Sequence, residues 1–139
     1  MAKLKISATL EDYLEFIYET VEAKSNIKAI DIANKFGIAR ASVTEALQRL
    51  EQKGYIKYGR YQPIELTAEG IKLAKEIILK HNTLCKFFSS VLELSQDEAE
   101  TNACRIEHII TPTAFKKIKE YEEILADRQK VLDIIKGEL

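Results

Sequence analysis

The segment ACRIEHII, residues 103–110, places Cys104, Glu107 and His108 at offsets 0, +3 and +4. On a helix these positions share one face, so a thiol, a carboxylate and an imidazole point the same way. One soft, one hard and one borderline donor make a partial ligand set for a first-row transition metal. Three donors from one helix leave such an ion under-coordinated, and the remaining ligands must come from elsewhere in the chain. His81 is one candidate, and Asp12 with Glu15, one turn apart, are two more. Each has an ordinary alternative: an imidazole packed with a hydrogen-bond partner, two carboxylates facing water, a cysteine serving as a small hydrophobe. The joint pattern takes in both histidines of the chain and one of its two cysteines.

These residues need elements to carry them. Leu10, Tyr13, Leu14, Ile17, Tyr18 and Val21 recur at helical spacing and predict a first helix that also bears Asp12 and Glu15. The next stretch holds two short helical patterns joined at Gly37, the first burying Ile30, Ala33 and Phe36 and the second Val43, Leu47 and Leu50. Two β-rich arms, residues 55–58 and 64–67, flank a polar tip at 59–63 and read as a hairpin. Helix, helix-turn-helix and hairpin in this order are a winged helix. Thr67 caps a long helix over residues 68–91, with His81 and Cys85 on its apolar stripe. Ser95 and Glu98 form a capping box for the helix that carries the ligand motif. Thr111-Pro112 ends that helix and starts the next, lined by Phe115, Ile118, Tyr121 and Leu125, and a short separate helical piece is expected over 127–136.

Composition sets limits on the function. The chain has 139 residues, 46% hydrophobic and 31% charged, and no apolar run near the ~20 residues of a membrane-spanning helix. The two cysteines make no CxxC pair and follow no signal-like segment, so a reducing cytoplasm is the expected home. Net charge is −1, but it is unevenly placed. Residues 24–60 carry eight Lys or Arg against three Asp or Glu, and residues 82–139 carry eight against eleven. The basic section coincides with the helix-turn-helix, whose second helix enters a DNA major groove. Off the buried stripe of that helix lie Arg40, Ala41, Ser42, Thr44, Glu45, Gln48 and Arg49, side chains that reach phosphates or base edges, with Lys57 and Arg60 on the hairpin for the flanking backbone.

Together LEDYLEFIY (10–18), ASVTEALQRLEQKGYI (41–56), ELTAEGIKLA (65–74), Lys80-His81 and ACRIEHII resemble the diphtheria-toxin-repressor and manganese-transport-regulator family of metal-dependent transcriptional repressors. The resemblance covers about residues 8–125. It implies a mostly α fold, with a winged helix-turn-helix and its two-stranded wing in residues 1–67. A long helix joins this to an all-α metal-binding and dimerisation domain in residues 68–139, without the SH3-like domain of longer members. It further implies a homodimer that binds double-stranded operator DNA when loaded with Fe(II) or Mn(II), with no small-molecule substrate and no membrane. By position, the ligands would be Asp12, Glu15, His81, Cys104, Glu107 and His108. Asp12 matches the manganese-type members and Cys104 the iron-type, so the set is a hybrid. Zn(II), Co(II) or Ni(II) would substitute in vitro. Cys85 and Glu100 stand at positions of an ancillary metal site, which would compete for His81. Ala41 and Glu45 depart from the relatives' usual residues, so the operator sequence does not carry over.

Two other classes compete. A metal-dependent hydrolase needs an open coordination position, a cleft and a general base, and no base is evident outside the ligand set. A redox sensor acting through Cys85 and Cys104 would place DNA binding under oxidant control.

Overall fold

Helix α1 (Ala8–Glu22) starts where Ser7 caps it, the Ser7 Oγ accepting from the Leu10 N–H at 3.3 Å. The computed structural model describes residues 6–59 and 61–137, and these fall into a front unit up to residue 79 and a rear unit from residue 80. In the front unit α1 buries Leu10, Tyr13, Leu14 and Ile17, as its periodicity predicts. Helix α2 (Ala29–Phe36) stops at Gly37, whose φ of +65° is a left-handed conformation that glycine adopts without a Cβ penalty. Its inward face is Ala29, Ile32 and Ala33 with half-buried Phe36, and Ile30, expected inside, is exposed. A helix starting at Ala29 turns about 100° per residue, which carries position 30 off the 29/32/33/36 face. Helix α3 (Arg40–Gln52) buries Val43, Leu47 and Leu50.

The wing is a two-stranded antiparallel ribbon, β1 (Ile56–Lys57) and β2 (Glu65–Leu66), in the register Ile56 to Leu66 and Lys57 to Glu65. It is shorter than the four-residue arms expected from composition, because other groups claim the backbone at its ends. The Tyr58 N–H donates to Glu51 Oε2 at 2.7 Å, and the Ile64 N–H to the Ile27 carbonyl at 2.8 Å. Helix α4 (Ala68–Lys86) is anchored to the base of the wing through Thr67. The Thr67 hydroxyl donates to the Gly54 carbonyl at 2.6 Å and accepts from the Gly70 N–H at 3.0 Å. Gly70 is required there, since a Cβ would collide with the Tyr55 carbonyl oxygen. Leu73, Ala74 and Ile77 of α4 join the front core, and Leu84 and Cys85 belong to the rear one.

In the rear unit α4 runs on into a π-helical turn, Phe87–Val91. Helix α5 (Gln96–Ile106) begins at Ser95, whose Oγ accepts from the Glu98 N–H at 3.2 Å. Its inward residues are Ala99 and Ala103, which pack in one cluster with Leu84 and Cys85 of α4. Helix α6 (Pro112–Lys136) starts at its Thr111 cap and stops at Gly137, φ +74°. It is one continuous helix where a separate piece over 127–136 was expected, because nothing between Thr113 and Lys136 is glycine or proline. No helix of the described residues is long and apolar enough to cross a membrane.

Candidate metal centre and nucleic-acid face

The rear unit gathers its donors around His81, near the end of α4. Its Nδ1 lies 2.7 Å from Glu107 Oε2 and 3.9 Å from Cys104 Sγ. The other carboxylate oxygen of Glu107 is 3.4 Å from His108 Nε2. Cys104 sits on α5, but α5 ends at Ile106, so Glu107 caps the helix and His108 occupies the turn beyond it. Glu107 still follows the helical turn, its N–H donating to the Ala103 carbonyl at 2.9 Å, and His108 lies in the turn after it. Glu107 and His108 are buried, whereas Cys104 is exposed and is no packed hydrophobe. Two imidazoles, a buried carboxylate and a thiol in one corner are donor types that suit Fe(II), Mn(II) or Zn(II). Asp12 and Glu15 are half-buried on α1 of the front unit.

The second nitrogen of His81 meets a different group. Nε2 lies 2.8 Å from Glu100 Oε2, and the Cys85 thiol donates to Glu100 Oε1 at 3.4 Å. Gln96, one turn before Glu100, donates to Glu100 Oε1 at 3.0 Å and to Cys85 Sγ at 3.7 Å. Sequence reasoning passed over Gln96, although its i, i+4 spacing to Glu100 was the available signal. The imidazole therefore stands between two donor groups, with a carboxylate at each nitrogen.

Electrostatics follow from this placement. Burial works against charging His81, and the carboxylates of Glu100 and Glu107 outweigh it, so the ring titrates above its ordinary value. An imidazolium there donates to both carboxylates. Glu100 is held below the usual carboxylate range, first by His81 and then by the Cys85 thiol. Burial, and next the hydrogen bond to Glu100, pushes the Cys85 thiol up.

In the front unit α3 presents Arg40, Ala41, Ser42, Glu45, Gln48 and Arg49 to solvent, with Thr44 half-buried and Lys57 exposed on β1. Thr44 donates to the Arg40 carbonyl at 3.0 Å, and Glu45 is paired with Arg49 at 2.8 Å. Glu45, one of the side chains expected to reach DNA, is thus already engaged. Both partners are well exposed, and such a pair opens at little cost. Arg60, the other expected wing contact, lies outside the described residues.

Comparison with known proteins matches both halves. Residues 5–64 match the family model described as iron dependent repressor, N-terminal DNA binding domain, and residues 67–128 the one described as iron dependent repressor, metal binding and dimerisation domain. An uncharacterised helix-turn-helix transcriptional regulator of Methanocaldococcus jannaschii is 33% identical over 124 residues, covering 88% of this chain and 99% of the relative. The transcriptional regulator MntR of Shouchella clausii is 30% identical over 125 residues, covering 90% of this chain and 87% of the relative. Among solved structures, the manganese regulator SloR superposes with a TM-score of 0.72 at 25% identity over 88% of this chain. This chain spans 55% of that structure's length.

Proposed function

This chain belongs to the diphtheria-toxin-repressor and manganese-transport-regulator (DtxR/MntR) family of metal-dependent transcriptional regulators, and from that premise we propose that it binds operator DNA as a homodimer when loaded with Fe(II) or Mn(II), repressing metal-homeostasis genes. Members of the family are regulators rather than enzymes. The observation that carries the reading is the rear-unit corner in which the buried Glu107 carboxylate meets His81 at 2.7 Å and His108 at 3.4 Å, with the Cys104 thiol 3.9 Å from His81.

Asp12 and Glu15 on α1 complete the proposed ligand set. A bound divalent ion supplies the positive charge that neutralises the carboxylates and the directional bonds that orient all six side chains. The set draws on α1 as well as on α4 and the end of α5, so holding one ion ties the DNA-recognition module, residues 1–67, to the metal-binding and dimerisation module, residues 68–139. Two recognition helices of a dimer must reach successive major grooves, about 34 Å apart or a multiple of it. A ligand set that favours this spacing raises DNA affinity, and by linkage DNA raises metal affinity by the same factor.

The Cys104 thiolate inclines the site toward Fe(II), since sulfur is a poorer match for Mn(II). Zn(II), Co(II) and Ni(II) fit the same donors in vitro. The cysteine-redox alternative draws no support: Cys85 is buried, its thiol is pushed up and donates to Glu100, which is the opposite of a reactive thiolate.

The test is anaerobic fluorescence anisotropy on duplexes selected from a genomic-fragment pool, titrated separately with Fe(II) and Mn(II) at fixed salt. Affinity should rise with metal, at lower Fe(II) than Mn(II). Glu107→Ala or His108→Ala should abolish that rise and weaken metal binding by about 100-fold or more while leaving a folded dimer, a loss at or above the upper end seen for groups that only support a ligand. Unchanged metal affinity in both variants would sink the site assignment.

A further inference from the structure

His81 has two ring nitrogens, and the proposed metal centre uses one of them. Nδ1 lies 2.7 Å from Glu107 Oε2 and 3.9 Å from Cys104 Sγ, while Nε2 faces away from that corner and lies 2.8 Å from Glu100 Oε2. A neutral imidazole has one lone pair and one N–H. With Nδ1 given to a metal, the ring proton sits on Nε2, and a second metal binds there only by stripping it to leave an imidazolate. An ionised carboxylate only accepts, so Glu100 opposite Nε2 matches a ring N–H.

Glu100 is itself held. Its other oxygen, Oε1, accepts from the Gln96 amide at 3.0 Å and from the Cys85 thiol at 3.4 Å, and the Gln96 amide also donates to Cys85 Sγ at 3.7 Å. The four residues come as two pairs one turn apart, His81 with Cys85 on α4 and Gln96 with Glu100 on α5. Three donors thus converge on one carboxylate: a ring N–H, an amide and a thiol. A metal held by Cys85, Glu100 and Nε2 would have to displace all three and take the protons of the thiol and the ring.

We infer that Glu100 is a positioning residue for the metal centre: it accepts from His81 Nε2–H, fixes the tautomer whose Nδ1 lone pair faces Glu107 and Cys104, and is aimed in turn by Gln96 and Cys85. This rests on the regulator reading above, and it removes Cys85 and Glu100 from the ancillary ligand set that the resemblance implies. Carboxylates that hold a ligating imidazole in this way change metal affinity by about 10–100-fold when removed.

The test uses full-length, 15N-labelled protein loaded with Zn(II). Because the chain has two histidines, long-range 1H–15N spectra resolve each ring. Wild-type His81 should show a protonated Nε2 and a metal-bound Nδ1. Glu100→Ala should weaken Zn(II) binding by about 10–100-fold in chelator competition and speed solvent exchange of the Nε2 proton. Glu100→Gln, whose amide oxygen still accepts, should recover most of both. A purely structural role would lower the melting temperature without moving the ring proton. Cys85→Ser should leave the number of bound Zn(II) ions, counted by equilibrium dialysis, unchanged. Loss of one ion in Cys85→Ser, or wild-type affinity and ring exchange in Glu100→Ala, overturns the inference, and the regulator reading then stands provided that Glu107→Ala still loses metal in the same assay. If His81 Nδ1 keeps its proton in the Zn(II)-loaded wild type and Glu107→Ala loses no affinity, the metal-centre assignment falls and the inference with it.

Discussion

The two units of this chain solve opposite problems with their interiors. Among the described residues, the front unit buries seventeen in one cluster, nearly all aliphatic, with Glu11 its one buried charged side chain. The rear unit's buried apolar cluster has four members, two of them alanine, while Glu107 and His108 are also buried. Conversely, Tyr121, Ile124, Val131, Leu132, Ile134 and Ile135 are exposed along α6. Packing accounts for the front unit by itself. In the rear unit, polar groups hold interior positions that packing alone would assign to apolar ones, as expected of a module whose final order depends on what it binds.

The largest test of this contrast removes one buried leucine from each unit. Leu47→Ala should cost about 2–5 kcal/mol in the front unit, and Leu84→Ala, as fully buried but in a cluster of small and half-buried residues that can close over the gap, about 2 kcal/mol, at the lower end of that range. Urea unfolding followed by probes in each unit reads both. A Leu84→Ala penalty equal to or above that of Leu47→Ala would erase the distinction.

A smaller effect separates the units by pH. Because His81 titrates above its ordinary value when folded, the stabilisation it draws from Glu100 and Glu107 is complete below about pH 6.5 and is lost as pH rises through the raised folded value. Glu100 behaves inversely: its contribution is present above the ordinary carboxylate value and is lost as pH falls through its depressed one. Metal competes with the proton on His81, so metal affinity should fall as pH drops through the raised value, with proton release on binding. Isothermal titration in buffers of different ionisation enthalpy counts those protons. A pH-independent affinity would break the assignment of His81 as a ligand, and a similar pH dependence in front-unit unfolding would break the contrast.

The smallest expected change lies on the front surface. Arg49→Ala removes the exposed partner of Glu45, and stability should shift by no more than about 0.5 kcal/mol. DNA affinity should fall well beyond that figure if Arg49 meets the duplex, so equal and small changes in melting and binding would confine it to the helix surface.

Much of this was legible before any coordinates, and the reason is that the signals were local. Thr67, Ser95 and Thr111 announce helix starts because a side-chain oxygen meets an N–H three residues on. Val43, Leu47 and Leu50 announce a buried face through spacing alone, and Gly37 a left-handed stop. Donor types at 104, 107 and 108 were equally plain. Where local rules conflicted, they misled: Ile30 looked as buriable as Ile32, and the stretch after Leu125 looked like a new helix although nothing in it interrupts the old one.

What the sequence determined by itself, then, is the inventory and the order: a winged helix-turn-helix, a long helix, and metal-ligating residue types on the helices that follow. Tertiary structure alone decided that His81 turns one nitrogen to Glu107 and the other to Glu100, and that Gln96 and Cys85 share the second carboxylate. The physical reason is range. Caps and periodicity act within a few residues, whereas His81 and Glu107 are 26 residues apart and meet only through the cluster that Ala99 and Ala103 of α5 share with Leu84 and Cys85 of α4.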